Sequence, residues 1–155
     1  MIIEQKIHPG FCLHVPNDGD DDVVMKSDCT TLWKYTSEQI IVHVKSGKCL
    51  YTPTVSDTLR LSSKCDEDYS KYKHDESNIL RHNVTLWCVH IAGGGLTVVQ
   101  NAHLKLESQC LTDTDGIKFN FKAGNKTCQC RNIKCGFSIA FVRQHIKHNI
   151  VNEIS

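Results

Sequence analysis

The chain's reactive side chains are concentrated in nine cysteines and nine histidines. Six of the cysteines fall into successive pairs, Cys12/Cys29, Cys49/Cys65 and Cys88/Cys110, with separations of 17, 16 and 22. Three more, Cys128, Cys130 and Cys135, lie near the C-terminus, where His145 and His148 would add further soft ligands for zinc. Their spacing fits no common zinc finger, and a compartment that oxidises thiols works against a thiolate site, so no metal and no cofactor are expected. One of Cys128 and Cys130 is instead expected to bond Cys135. The acidic run Asp18-Gly-Asp-Asp-Asp22 offers oxygen ligands but no recognisable calcium-loop pattern, and is read as a solvated loop. The histidines are scattered. No nucleophile–base motif, paired-carboxylate arrangement or phosphate loop is present, which points away from an enzyme.

What positions the cysteines is an internal repeat. Trp33 to Leu50, WKYTSEQIIVHVKSGKCL, aligns without a gap on Tyr72 to Val89, YKHDESNILRHNVTLWCV, at an offset of 39. Trp33 matches Tyr72, Ile40 matches Ile79, His43 matches His82 and Cys49 matches Cys88. The approach to the second cysteine also recurs: Asp57-Thr-Leu-Arg-Leu-Ser-Ser-Lys-Cys65 resembles Ala102-His-Leu-Lys-Leu-Glu-Ser-Gln-Cys110, and Val23 to Cys29 is a weaker relative. Six cysteines allow fifteen pairings. The symmetry of the repeat selects Cys12–Cys29, Cys49–Cys65 and Cys88–Cys110, each contributing roughly 3 kcal/mol by restricting the unfolded chain. The third unit is longer, with its extra residues expected in Gly93-Gly94-Gly95 or just before Ala102.

Leu59/Leu61 and Leu104/Leu106 alternate with polar residues, the period of a half-buried strand, and Ile40 to Val44 is a short β-branched run before the turn signal Ser46-Gly47-Lys48. About twelve short strands follow, with no helix before residue 137. A unit of four such strands cannot bury its own apolar face, so three copies should close around an axis and remove their free edges. Trp33, Tyr72 and Phe119 (or Phe121) would be the equivalent core aromatics. The fold class is therefore all-β, a β-trefoil over residues 1–126 with units of about 1–39, 40–78 and 79–126. A basic, Cys-containing tail, 127–155, would be a packed extension or linker; Ile139, Val142, Ile146 and Ile150 in it fall at helical spacing.

Net charge is +1. The tail holds four basic residues and one acidic residue, leaving 14 basic and 16 acidic in residues 1–126. That balance argues against nucleic acid as a partner. No segment reaches the ~20 apolar residues of a membrane-spanning helix. Met1-Ile-Ile-Glu-Gln-Lys6 has no signal-peptide core, whereas the cysteine count and the sequons at Asn83 and Asn125 point outside the cell. The chain is read as a mature or excised piece of a secreted or cell-surface glycoprotein. The alternative is a cytosolic protein with many buried thiols.

The stretches Cys29-Thr-Thr-Leu-Trp-Lys-Tyr-Thr-Ser-Glu-Gln39, Ser46-Gly-Lys-Cys-Leu50 and Leu59-Arg-Leu-Ser-Ser-Lys-Cys-Asp66 resemble the ricin-type β-trefoil lectins. Among these they are most similar to the cysteine-rich domain of the mannose-receptor family. The resemblance implies a carbohydrate-binding module of a receptor ectodomain, with a glycan or glycoprotein as partner. Where galactose-binding members carry an aspartate, this chain has His14, Tyr51 and His90, so the simple-sugar sites are expected to be degenerate. In the third unit the resemblance points to Gln100, Asn101, His103, Lys105, Asp113 and Asp115 as candidate ligand-binding residues. A protein-binding module is the other reading.

Overall fold

The computed structural model describes residues 1–55, 57–92, 100–110 and 117–124. Asp113, Asp115, Asn125, the glycine run from Gly93, and the tail with its cysteines and histidines lie outside them.

Twelve strands run through the described residues: β1 Ile2–Gln5, β2 Cys12–His14, β3 Val24–Lys26, β4 Trp33–Tyr35, β5 Ile41–His43, β6 Cys49–Tyr51, β7 Arg60–Ser62, β8 Tyr72–His74, β9 Leu80–His82, β10 Cys88–Ile91, β11 Ala102–Glu107 and β12 Phe119–Lys122. A 3₁₀ turn, Asp68–Ser70, precedes β8. All strand pairings are antiparallel, in a sheet of order β12-β1-β2-β3-β11-β10-β9-β8 and a second of order β4-β5-β6-β7. Alternation decides which way each strand faces. In β11, Leu104 and Leu106 are buried while His103, Lys105 and Glu107 point to solvent.

Six of these strands follow one another in a ring. The Trp33 amide donates to Met1 O (2.8 Å) and ties β4 to β1; the Tyr72 amide donates to Gln39 O (2.8 Å) and ties β8 to β5; the Phe119 amide donates to Asn78 O (2.8 Å) and ties β12 to β9. Ladders β4–β5, β8–β9 and β12–β1 complete the circuit. Three hairpins, β2–β3, β6–β7 and β10–β11, lie outside the ring. Their second strands meet one another: β3 pairs with β11, Asp22 bridges Arg60, and the Leu59 amide donates to Leu104 O (2.9 Å).

The aromatics carrying the three ring bonds also fill its centre. Trp33, Tyr72 and Phe119 are at most 1% exposed, packed with Ile3, Leu13, Met25, Ile41, Leu50, Leu80 and Leu104. Phe119 is thus the third core aromatic. Phe121 is only half-buried, stacked on the His74 ring at 3.9 Å. The polar ends of the core aromatics are bonded, as burial demands: Trp33 Nε1 donates to Leu13 O (3.2 Å), and the Tyr72 hydroxyl pairs with Thr52 Oγ1 (2.6 Å).

The three disulfides selected by the repeat are present, Cys12–Cys29, Cys49–Cys65 and Cys88–Cys110, with Cα–Cα distances of 5.2, 5.5 and 5.6 Å. Cys12, Cys49 and Cys88 are fully buried at the start of the first strand of each outer hairpin.

Just before each of these cysteines the chain makes a tight turn closed by one repeated bond: Gln5 N to Phe11 O (2.9 Å), His43 N to Lys48 O (2.8 Å) and His82 N to Trp87 O (2.8 Å). Each turn needs one left-handed residue. Gly10 (φ 93°) and Gly47 (φ 72°) supply it in the first two, and Leu86 (φ 61°) in the third. A leucine there is strained by about 1–2 kcal/mol, and with its side chain 67% exposed little packing offsets that cost. Leu86→Gly should therefore leave stability unchanged or raise it, and Gly47→Leu should lower it by about 1 kcal/mol or more, as read by urea denaturation.

Candidate functional site

A concavity lies between the β2–β3 loop and the β5–β6 turn. A cleft of about 260 Å³ has Asn17, Asp18 and Asp20 on one wall and His43, Lys45, Ser46 and Lys48 on the other, with Val15 and Leu61 beneath. A second cleft of about 440 Å³ shares Val15, Asp18, His43 and Lys45 with it and extends to His14, Thr30, Thr31, Leu32 and Val44.

Local sequence shapes both walls. Asn17-Asp-Gly-Asp20 folds into a turn with Gly19 at φ 91°, the Asp20 amide donating to Asn17 O (3.3 Å) and the Asn17 side-chain amide to Asp20 Oδ2 (2.9 Å). The loop is then anchored by the Leu61 amide, which donates to Asp21 O (2.7 Å). Across the cleft, Lys45 Nζ meets Asp18 Oδ2 at 2.5 Å and Lys48 Nζ meets Asp21 Oδ1 at 2.6 Å. The acidic run is therefore not simply solvated, because part of it pairs with the lysines of the facing turn. These pairs are exposed, and each is worth about 0–1 kcal/mol, so a ligand can displace them at little cost.

Two histidines sit at the base of the clefts, each bonded to a hydroxyl. His14 Nδ1 lies 2.9 Å from Thr31 Oγ1, and His43 Nδ1 lies 2.8 Å from Ser46 Oγ. Burial lowers both pKa values below the usual histidine range; Lys26 beside His14, and Lys45 and His14 beside His43, act in the same direction, against the opposing pull of Asp28 and Asp18. His82 occupies the place of His43 in the third unit, with Nδ1 3.0 Å from Thr85 Oγ1 and Nε2 3.3 Å from Tyr69 O. Burial lowers its pKa also.

The residues singled out in the third unit are placed as follows. Gln100 is folded onto Ser27: its Oε1 accepts from the Ser27 amide (3.1 Å) and its side-chain nitrogen donates to the Ser27 hydroxyl. Asn101 takes the left-handed conformation (φ 65°) and its amide donates to Met25 O (2.8 Å). His103 and Lys105 lie two residues apart on the exposed face of β11; Lys105 stands opposite His90, whose Nδ1 is 3.4 Å from Glu107 Oε2. Asp113 and Asp115 lie outside the described residues. Of the three positions without the sugar-binding aspartate, His14 and His90 are bonded as above, and the Tyr51 hydroxyl reaches Glu67 Oε2 at 3.4 Å. Asn83 is exposed, its side-chain amide donating to Gln39 Oε1 (2.8 Å). Among the described residues, Glu4, Cys12 and Cys29 bring three potential metal-ligand atoms together, but the sulfurs are joined in a disulfide and the carboxylate is held by Lys122 and the Gly10 amide.

The charged cleft was missed in the sequence. The available signal was the opposite sign of Asp18-Gly-Asp-Asp-Asp22 and Lys45-Ser-Gly-Lys48, informative only once the two loops are known to face each other.

No protein-family profile matches the chain, and no curated protein matches it in sequence. Its fold does match solved structures: the chain is all-β and disulfide-bonded, as described above. One such structure is the hemolytic lectin CEL-III, superposed with a TM-score of 0.63 at 18% sequence identity over 79% of this chain. The match covers 29% of that lectin, so this chain spans less than a third of its length. Among the described residues no helix is long and apolar enough to cross a membrane.

The lowered histidine pKa values set the sign of an acid effect. As pH falls through about 6.5 the unfolded chain takes up protons at His14, His43 and His82 before the folded one does, so stability is full above that pH and declines below it. Glu4 and Asp75 add a second loss at lower pH. Burial raises both, but the Lys122 ammonium and Gly10 amide at Glu4, and the Ile79 amide and Arg81 at Asp75, outweigh it and leave both carboxyls below their ordinary values. Thermal unfolding should show Tm falling already between about pH 7 and pH 5, and His82→Gln should flatten that first decline.

Proposed function

We propose that this chain is a non-catalytic, extracellular carbohydrate-binding module with a ricin-type β-trefoil fold, akin to the cysteine-rich domain of the mannose-receptor family. The observation that carries the reading is the likeness of its fold to a solved lectin. The ring of six strands with three outer hairpins, in which one aromatic bond recurs in every unit, supports the trefoil assignment. The three disulfides and the exposed sequon asparagine Asn83 support an oxidising, glycosylating compartment.

The ligand in this reading is a glycan, free or on a glycoprotein, and the cleft between the β2–β3 loop and the β5–β6 turn suits one. Asn17, Asp18, Asp20 and Lys45 present donors and acceptors for hydroxyl groups, and the exposed Leu32 and Val44 side chains offer an apolar surface for the C–H face of a sugar ring. The exposed face of β11, with His103 and Lys105, is the second location. Gln100 and Asn101 contribute less there, since their side chain and backbone respectively secure the β3–β11 seam.

A protein-binding module is the second reading, favoured by one observation: Tyr69, Val84 and Leu86, three of the exposed large apolar residues, gather around the His82–Trp87 turn.

An array of neutral and sulfated glycans, probed with the oxidised protein, tests the proposal. Binding should be reproducible, and Asp18→Ala should weaken it by about tenfold or more through loss of a charged hydrogen-bond acceptor. Loss on His103→Ala with Lys105→Ala, and not on Asp18→Ala, would move the site to β11. A blank array with folded protein would sink the carbohydrate reading.

A further inference from the structure

Beneath the cleft, one hydrogen-bond arrangement ties a titratable ring to the shape of the wall above it. His43 ends β5 and faces the turn His43–Lys48. Its Nδ1 meets the Ser46 hydroxyl at 2.8 Å, and that same hydroxyl accepts the Lys48 amide at 3.2 Å. A hydroxyl has one proton. With the neutral ring in its Nε2–H tautomer, the hydroxyl gives that proton to Nδ1 while receiving the amide, so the ring, the hydroxyl and the turn's backbone form one chain of bonds. The third unit repeats the device at the same offset: His82 Nδ1 on Thr85 Oγ1, which accepts the Trp87 amide at 3.3 Å. Recurrence in two units shows that the arrangement belongs to the turn. At His43, however, the turn carries Lys45 and Lys48, whose ammonium groups close the cleft against Asp18 and Asp21.

We propose that His43 is an acid sensor for the cleft: protonation of its ring reverses the bond to Ser46 and loosens the Lys45–Lys48 wall from the facing loop. The proton comes from solvent and occupies Nδ1, which turns from acceptor to donor. The Ser46 hydroxyl must then rotate its own proton away while two donors converge on its oxygen. The new cation is buried on one side by the Trp33 ring, 5.5 Å away. From the β2–β3 loop it faces Asp18 and Asp20, from β2 it faces His14, and on its own turn it faces Lys45 and Lys48. Repulsion pushes the lysines outward, and attraction draws Asp18 off Lys45 towards the ring. The Asp18–Lys45 pair is weak enough to yield, since both side chains are about 70% exposed. Burial places the transition below the ordinary histidine range, so the cleft is intact at neutral pH and altered in mildly acidic surroundings. The binding consequence rests on the carbohydrate reading above: a glycan held at neutral pH is released on acidification. The structural switch does not depend on that reading.

The test follows backbone amides by NMR in the ligand-free, oxidised protein from about pH 7.5 to pH 4.5. The amides of Lys45 to Lys48 and of Asn17 to Asp20 should shift together with the His43 ring. That shift should vanish in His43→Gln, whose side-chain oxygen can still accept from Ser46 but does not titrate in this range. In Ser46→Ala the ring should still titrate while the Lys48 amide no longer follows it. Amides that move only with the carboxylates, a wild-type response that persists in His43→Gln, or a Lys48 amide that still follows the ring in Ser46→Ala would each overturn the switch. The same glycan array read at about pH 7 and about pH 5 should lose signal several-fold in wild type, with a ratio near one in His43→Gln. Equal pH loss in both proteins overturns the switch. A blank array at both pH values counts against the carbohydrate reading and leaves the NMR result to decide the switch.

Discussion

The fold depends on one backbone hydrogen bond made three times. In each unit the amide of a buried aromatic, Trp33, Tyr72 or Phe119, reaches the carbonyl one or two residues before the unit's first strand, and thereby joins its fourth strand to its first. Strands of three or four residues make too few ladder bonds to hold a sheet alone. Joined at these points they form a ring with no free edge, and the same aromatics fill the interior that the ring encloses. Backbone closure and core filling are thus one event, which accounts for an aromatic at this position in every unit. The outer hairpins hang from the ring, and each disulfide fastens one of them at a buried cysteine.

Function on such a frame belongs to the segments the ring does not constrain. The β2–β3 loop and the β5–β6 turn belong to different units, so ring closure brings them face to face without fixing their side chains. In this chain that junction received opposite charges, two hydroxyl-bonded histidines and a small apolar shelf. The equivalent turn in the third unit received Val84 and a strained, exposed Leu86 instead. The same backbone thereby presents a polar, charged concavity at one junction and an apolar projection at another, which is how similar units come to offer different surfaces.

Much of the frame could be read from the sequence because the repeat is encoded in large, unambiguous residues. Trp33 over Tyr72, His43 over His82 and Cys49 over Cys88 stand at one offset, and the disulfide pairing follows from that symmetry. Phe119 and Phe121 could not be separated, because residues two apart on a strand share a face; the bond from the Phe119 amide to Asn78 decides between them. Gln100 and Asn101 looked like free polar groups for a ligand. Their contacts with Ser27 and Met25 span more than seventy positions and exist only once β3 and β11 are in register. The cleft was hidden for the same reason. The acidic run reads as a solvated loop and Ser46-Gly47-Lys48 as a strand-ending turn, and paired side chains 27 positions apart become neighbours only in the fold.

If ring closure holds the molecule together, the three aromatic amides open only when everything opens. Native-state hydrogen exchange of the oxidised protein measures this directly. The amides of Trp33, Tyr72 and Phe119 should exchange with one common free energy, equal to that of global unfolding and with the same denaturant dependence. Exchange of any one of them through a smaller local opening, with its unit detaching while the other two stay protected, would contradict the account.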